Sequence, residues 1–188
     1  MARCIRVIDL GTQHSDFYDK DMHKVMLTFE LPNELIEDKE GKLMPMLTSR
    51  EYTLSLHEKS NLGQDLVAWR GKDFTEEEMK GFDITKVLGA ACTVSIAHTK
   101  GNDGKTYANT KGVMAALKGS TTPPAVHECF AYLIEDGTGG NYDKLPEWIQ
   151  KKINKSNEFL KPSTEEVKEI MGEVKEGFGD IDTSDLPF

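Results

Sequence analysis

The chain has 188 residues, of which 38% are hydrophobic and 29% charged, and a net charge of −9. That length holds one ordinary globular domain with appendages and excludes two large ones. No stretch approaches the roughly 18 apolar residues that crossing a bilayer requires, so no membrane contact is expected. The opening Met1-Ala2-Arg3-Cys4-Ile5-Arg6 lacks the apolar core of a signal peptide, and the expected compartment is the cytoplasm. Cys4, Cys92 and Cys129 are odd in number and unclustered, which argues against a disulfide framework; all three read as buried or idle thiols.

In chain order, residues 4–10, 24–31 and 50–56 read as strands, rich in β-branched or aromatic residues or alternating in polarity. In the third run Tyr52, Leu54 and Leu56 share one face, which the alternation assigns to a core. Residues 16–21 and 32–45, rich in acid, Gly and Pro, read as loops. Leu62, Leu66, Val67 and Trp69 or Arg70 recur at helical spacing behind the caps Ser60 or Asn61, predicting a short helix to about residue 69. Thr75 and Glu78 form a capping-box pattern that opens a second helix, and Asp83 caps a third that Gly89 stops. Residues 92–99 and 105–117 then read as a hairpin, with Gly101-Asn102-Asp103-Gly104 as its turn. Further on, residues 126–135 suit a strand. Residues 145–154 suit an amphipathic helix with Leu145, Trp148, Ile149 and Ile153 on its apolar side, and residues 163–175 a second helix.

The charge is divided unevenly. Residues 1–120 carry 16 Lys+Arg against 18 Asp+Glu, and residues 121–188 carry 7 against 14. Between Gly89 and Gly119 the charged residues are Lys100, Lys105, Lys111, Lys118 and Asp103, a locally basic stretch in a near-neutral body. Attraction to a phosphate backbone follows such local patches rather than the total charge.

The element order, three strands, helices and a closing hairpin, is that of a small Greek-key barrel of the OB type. The expected fold class is mainly β with short helices: an OB-like barrel over residues 1–135, a linker with amphipathic helices over 136–177, and an acidic, disordered tail over 178–188. Several segments, among them Ile8-Asp9-Leu10-Gly11-Thr12-Gln13, Phe29-Glu30-Leu31-Pro32, Tyr52-Thr53-Leu54-Ser55-Leu56-His57, Ala68-Trp69-Arg70-Gly71 and Gly104-Lys105-Thr106-Tyr107-Ala108-Asn109, resemble a family of tailed-bacteriophage proteins from replication and recombination modules, similar to phage OB-fold single-stranded DNA-binding proteins. The resemblance covers residues 1 to about 120. Separately, the ending Asp180-Ile181-Asp182-Thr183-Ser184-Asp185-Leu186-Pro187-Phe188 resembles the C-terminal tip of bacterial single-stranded DNA-binding proteins. Asp185, Pro187 and Phe188 match that tip, and Asp180 and Asp182 its acidic lead-in; Leu186 departs from the common Ile. Physically, a Phe ring and an α-carboxylate suit a small apolar pocket rimmed by Lys or Arg, with the Asp residues adding longer-range attraction.

Sequence-tolerant binding of a single strand needs cations for phosphates and aromatic faces for bases. Strict alternation puts Lys105, Tyr107, Asn109 and Lys111 on one face of the second hairpin strand, with Lys100 at the end of the first. These four, Lys100, Lys105, Tyr107 and Lys111, are the leading candidate DNA contacts. Arg50, Trp69 and Arg70 are further candidates, with core packing the competing role for Trp69.

His57, Cys92, His98 and His127-Glu128-Cys129 lack the paired spacing of a zinc site, so no metal and no cofactor are expected. No phosphate-binding loop or nucleophile elbow is present, and Glu76-Glu77-Glu78 suits a helix N-terminus, so no enzymatic activity is expected. The expected partners are single-stranded DNA and, through the tip, replication or recombination proteins. The competing reading is an adaptor, or a DNA-mimicking inhibitor, that acts on a host replication or repair protein and does not bind DNA.

Overall fold

The computed structural model describes residues 1–160. The expected helix over 163–175 and the 178–188 tip lie outside the described residues. Five long strands, β1 (Ala2–Ser15), β2 (Lys20–Glu37), β3 (Leu43–Thr53), β4 (Ala91–Lys100) and β5 (Thr106–Ala115), lie in the order β3-β2-β1-β4-β5. The sheet curls so that its two outermost strands meet. The Thr48 and Thr110 hydroxyls are 2.7 Å apart, and the Arg50 guanidinium donates to the Lys111 carbonyl. The result is an OB-like Greek-key barrel closed through side chains. Register shifts leave Ile5 and Leu10 as extra residues in β1, and such bulges bend a strand round a barrel.

Between β3 and β4 the chain forms two short helices, α1 (Asn61–Arg70) and α2 (Glu76–Gly81). Their ends follow the sequence signals. The Ser60 side chain accepts from the Gly63 amide, Gly71 closes α1 in the left-handed region, and Thr75 and Glu78 form the capping box of α2. Asp83 caps a short 3-10 turn over Ile84–Val87. Helix α1 turns Leu62 and Leu66 into the barrel, where they meet Cys4, Val7, Val25, Leu27, Phe29 and Tyr52.

A second core lies outside the barrel. Beyond a three-residue strand β6 (Phe130–Tyr132), which pairs in parallel with β1, the chain forms α3 (Glu147–Ile153) and α4 (Asn157–Leu160). Phe130, Tyr132, Tyr142, Leu145, Ile149 and Ile153 cover Ile8, Leu10 and Met26 on the outer side of β1 and β2. Each such aliphatic side chain contributes about 1.5–3 kcal/mol when taken from water. The residues read as linker from 136 onward therefore include, as far as 160, a structural layer of the barrel. Burial on both sides also accounts for the buried apolar residues at both parities of β1, Cys4, Ile5, Val7, Ile8 and Leu10.

Several expectations are corrected. Residues 32–45, read as a loop, form most of a hairpin arm: β2 continues to Glu37 and β3 begins at Leu43, with Leu35, Ile36 and Glu37 paired to Pro45, Met44 and Leu43. Pro32 falls in the irregularity between Leu31 and Leu35, where it removes no ladder bond, and Pro45 lies on the strand that ends the sheet. The strand expected over 126–135 shrinks to three residues, and the one over 50–56 ends at Thr53, leaving Leu54 exposed. Trp148, placed on the apolar side of its helix, points outward and is 57% exposed. Cys4 and Cys92 are buried, which pushes both thiols well above their ordinary range, whereas Cys129 is exposed.

Candidate nucleic-acid interface

Neighbours among the five barrel strands are all antiparallel, so β3 and β5 run in the same direction. The β2–β3 and β4–β5 turns consequently fall at one end of the barrel, the end where β1 begins. Both hairpins project there as arms.

The β4–β5 arm carries the four leading candidates, with Lys100 paired to Thr106 and so on the face opposite Tyr107. Its turn is closed by Gly104 at φ 76°, with the Gly104 amide bonded to the Gly101 carbonyl at 3.0 Å. The Tyr107 ring lies against Gly101, where an added Cβ would come within 2.6 Å of it. Its hydroxyl donates to Asp103 Oδ2 at 2.5 Å, and Asp103 Oδ1 accepts from the Lys105 amide. These two bonds hold the Asp103 carboxyl below its usual range, the tyrosine hydroxyl first and the amide second, while Asp103 raises the Tyr107 phenol. The ring is thus fixed in orientation yet remains 47% exposed, the state a base-stacking platform requires.

Lys100 and Lys105 are exposed beside this turn, and Asn109 donates to Thr99 across the arm at 2.7 Å. Thr110 is buried on the face opposite Tyr107 and Asn109, but the ladder slips next: Ser95 pairs with Gly112 and Ile96 with Thr110, leaving Lys111 as an extra residue. Its side chain is exposed while its carbonyl is held by Arg50.

Arg50 itself faces the interior. It pairs with Asp65 of α1 at 2.7 Å and lies over the Tyr52 ring at 4.9 Å, and Tyr52 donates to the same carboxylate oxygen at 2.7 Å. Burial, then the bond to Asp65, drives the Tyr52 phenol upward. Arg50 therefore joins β3, β5 and α1 rather than presenting a free charge.

Trp69 and Arg70 sit apart from the arm. The Trp69 indole donates to the Ala91 carbonyl at 2.8 Å and packs on Phe29, while Arg70 pairs with Glu78 at 2.6 Å and lies over Phe74. Arg70, with the Thr75 amide, pulls the Glu78 carboxyl to about 2. Both residues line a cleft of about 460 Å³ with Phe74, Phe82 and Lys86, and no hairpin residue reaches it.

The β2–β3 arm is the feature that sequence reasoning missed. Leu35, Ile36, Leu43, Met46 and Leu47 are 36–58% exposed along it, and Lys39 and Lys42 flank its turn. Asp38 sets that turn by accepting from the Lys42 and Glu40 amides, which lower its carboxyl. The signal available was the pair of short apolar runs, Leu35-Ile36 and Leu43-Met44, on either side of the turn residues Asp38-Lys39-Glu40-Gly41.

Among the described residues no three His, Cys, Asp or Glu side chains come together as metal ligands. His127 is instead 2.7 Å from Glu30, a carboxylate that also accepts from the Val126 and His127 amides. No helix among the described residues is long and apolar enough to cross a membrane. No protein-family model matches the chain, and no curated protein or solved structure matches it.

Proposed function

We propose that this protein binds single-stranded DNA without sequence preference and without catalysing a reaction, in the cytoplasm of a bacterial host, during phage replication or recombination. Its acidic C-terminal tip, residues 180–188 with Asp180, Asp182, Asp185, Leu186, Pro187 and Phe188, recruits replication or recombination proteins. The observation that carries the DNA-binding part is the β4–β5 arm, which exposes Lys100 and Lys105 beside its turn and Lys111 further along β5, together with a tyrosine whose ring is held by Gly101 and Asp103. Cations and one open ring read backbone and base faces, not base identity. No cofactor takes part.

Anisotropy titration of a labelled oligo-dT of about 30 nucleotides tests this reading. Binding should weaken with salt, and Lys105→Ala with Lys111→Ala together should flatten the log–log slope by about 1.4, since each phosphate contact on a single strand contributes about 0.7. No binding, or binding indifferent to salt, overturns it. One observation favours the adaptor or inhibitor instead: the β2–β3 arm exposes five apolar side chains on a protein of net charge −9, and such patches suit protein partners. That alternative requires capture of a host replication or repair protein with no affinity for oligo-dT.

A further inference from the structure

Trp148 is the most anomalous exposed side chain of the second core. Helix α3 buries Ile149 and Ile153 and turns Trp148 outward, 57% exposed. Lys151, Lys152 and Lys155 follow it at three, four and seven residues, so one side of the helix and its C-terminal turn presents an indole ring and three ammonium groups. An unburied indole surrendering this much apolar area is uncommon, and the ammonium groups beside it suit a polyanion whose bases can stack on the ring.

The carboxylates nearby do not cancel this side. Glu147 pairs with Lys151 at 2.6 Å, but both are largely in solvent, where such a pair is worth little and exchanges readily for a phosphate. Lys152 pairs with Glu51 on the outer face of β3, and Lys155 has no ion pair among the described residues. The Lys152–Glu51 contact also fixes where this side lies. Glu51 directly follows Arg50, which holds the Lys111 carbonyl on β5, so β3 meets Lys152 through one residue and the Lys111 stretch of β5 through the residue before it.

From these observations we propose that α3 carries a second contact for the same single strand: the strand leaves the β4–β5 arm, crosses the outer face of β3, stacks a base on Trp148, and places phosphates against Lys151, Lys152 and Lys155. This rests on the reading of the protein as a single-strand binder. Charge complementarity and continuity with the Lys111 side of the arm select nucleic acid over a protein as the occupant.

The test uses the full chain and oligo-dT of about 30 nucleotides, read by anisotropy and by tryptophan fluorescence. The protein has two tryptophans, and Trp69 is hydrogen-bonded in its own cleft. Oligo-dT should quench the wild-type emission, and Trp148→Phe should remove most of that quenching while binding continues. Trp148→Ala should weaken binding roughly 5-fold or more, the lower range for one stacked base, and Lys155→Ala should flatten the salt slope by about 0.7. Helix α3 keeps Ile149 and Ile153 in all three variants, and unchanged circular dichroism confirms that each is folded. Wild-type-like quenching by Trp148→Phe, together with wild-type affinity of Trp148→Ala, overturns the α3 contact and leaves the DNA-binding reading standing. Failure of the wild type to bind oligo-dT at all overturns that reading instead, and the α3 contact with it.

Discussion

Buried charges tie separate elements of the barrel together. Arg50 and Asp65 are the clearest pair: each is more than four-fifths buried as a side chain, and removal of either would strand the other, which in buried pairs costs about 3–5 kcal/mol. Glu30 does comparable service on the opposite side. It sits on β2, 1% exposed, and accepts from the Val126 and His127 amides and from the His127 ring when Nδ1 carries the proton. Burial alone would raise its carboxyl, but the bonds from His127 and Val126 outweigh that and lower it. A carboxyl lowered by folding adds stability above its unfolded value, about 4.3, and that contribution disappears as pH falls through the folded value. The Val126 and His127 amide resonances should therefore titrate together with a midpoint below about 4.3. A midpoint at or above the ordinary glutamate value would show that Glu30 does not hold this segment.

At the scale of elements, the outer layer depends on one close approach. Gly11 lies in β1 at φ +68°, and a Cβ there would meet Ser156 Cβ and the Glu158 carboxylate at 2.7 Å. Glu158 accepts from the Thr12 amide and hydroxyl, which lowers its carboxyl despite partial burial. Gly41, at φ +79° in the β2–β3 turn, has open space around it. Gly41→Ala should cost only the left-handed backbone penalty, about 1–2 kcal/mol. Gly11→Ala should cost that plus displacement of fully buried Ser156, for a total of about 3 kcal/mol by denaturant titration, and should open residues 156–160 to protease. Equal losses in the two variants would show that α4 does not press on β1.

These elements differ in how far the sequence disclosed them. The caps at Ser60 and Thr75, the β4–β5 turn and the burial of Tyr52 were legible because each rests on residues within one or two turns of chain. The β2–β3 arm was not, because Pro32 and Pro45 are loop signals unless the ladder's irregularity is known. Arg50 looked like a free cation because its partner Asp65 belongs to another element. Trp148 was misplaced because 145, 148, 149 and 153 all satisfy helical spacing, while the buried stripe is 145, 149 and 153; the lysines at 151, 152 and 155 were the signal that Trp148 belongs to the other side. Docking of residues 142–153 depends on an outer barrel face more than 100 residues earlier, which no local pattern announces.

For the whole molecule, the uneven distribution of charge bears on the proposed binding of DNA. Residues 161–188 hold 8 of the 32 carboxylates and 3 of the 23 cations, joined by one chain to a barrel whose arm and α3 carry exposed lysines. A tethered anionic segment acts at a high local concentration, so on the proposed reading it would compete with DNA phosphates for those lysines until salt screens the attraction. Removing residues 178–188 eliminates Asp180, Asp182 and Asp185 together with Phe188. Affinity for oligo-dT should then rise several-fold at about 50 mM salt, with the two proteins converging as salt increases. Phe188→Ala, which keeps every aspartate, should leave DNA affinity near the wild-type value while abolishing capture of partner proteins. The two variants separate electrostatic competition from anchoring: equal DNA affinities of truncated and full-length protein at low salt would remove the tail from the DNA site, and partner capture surviving Phe188→Ala would remove the ring from the anchor.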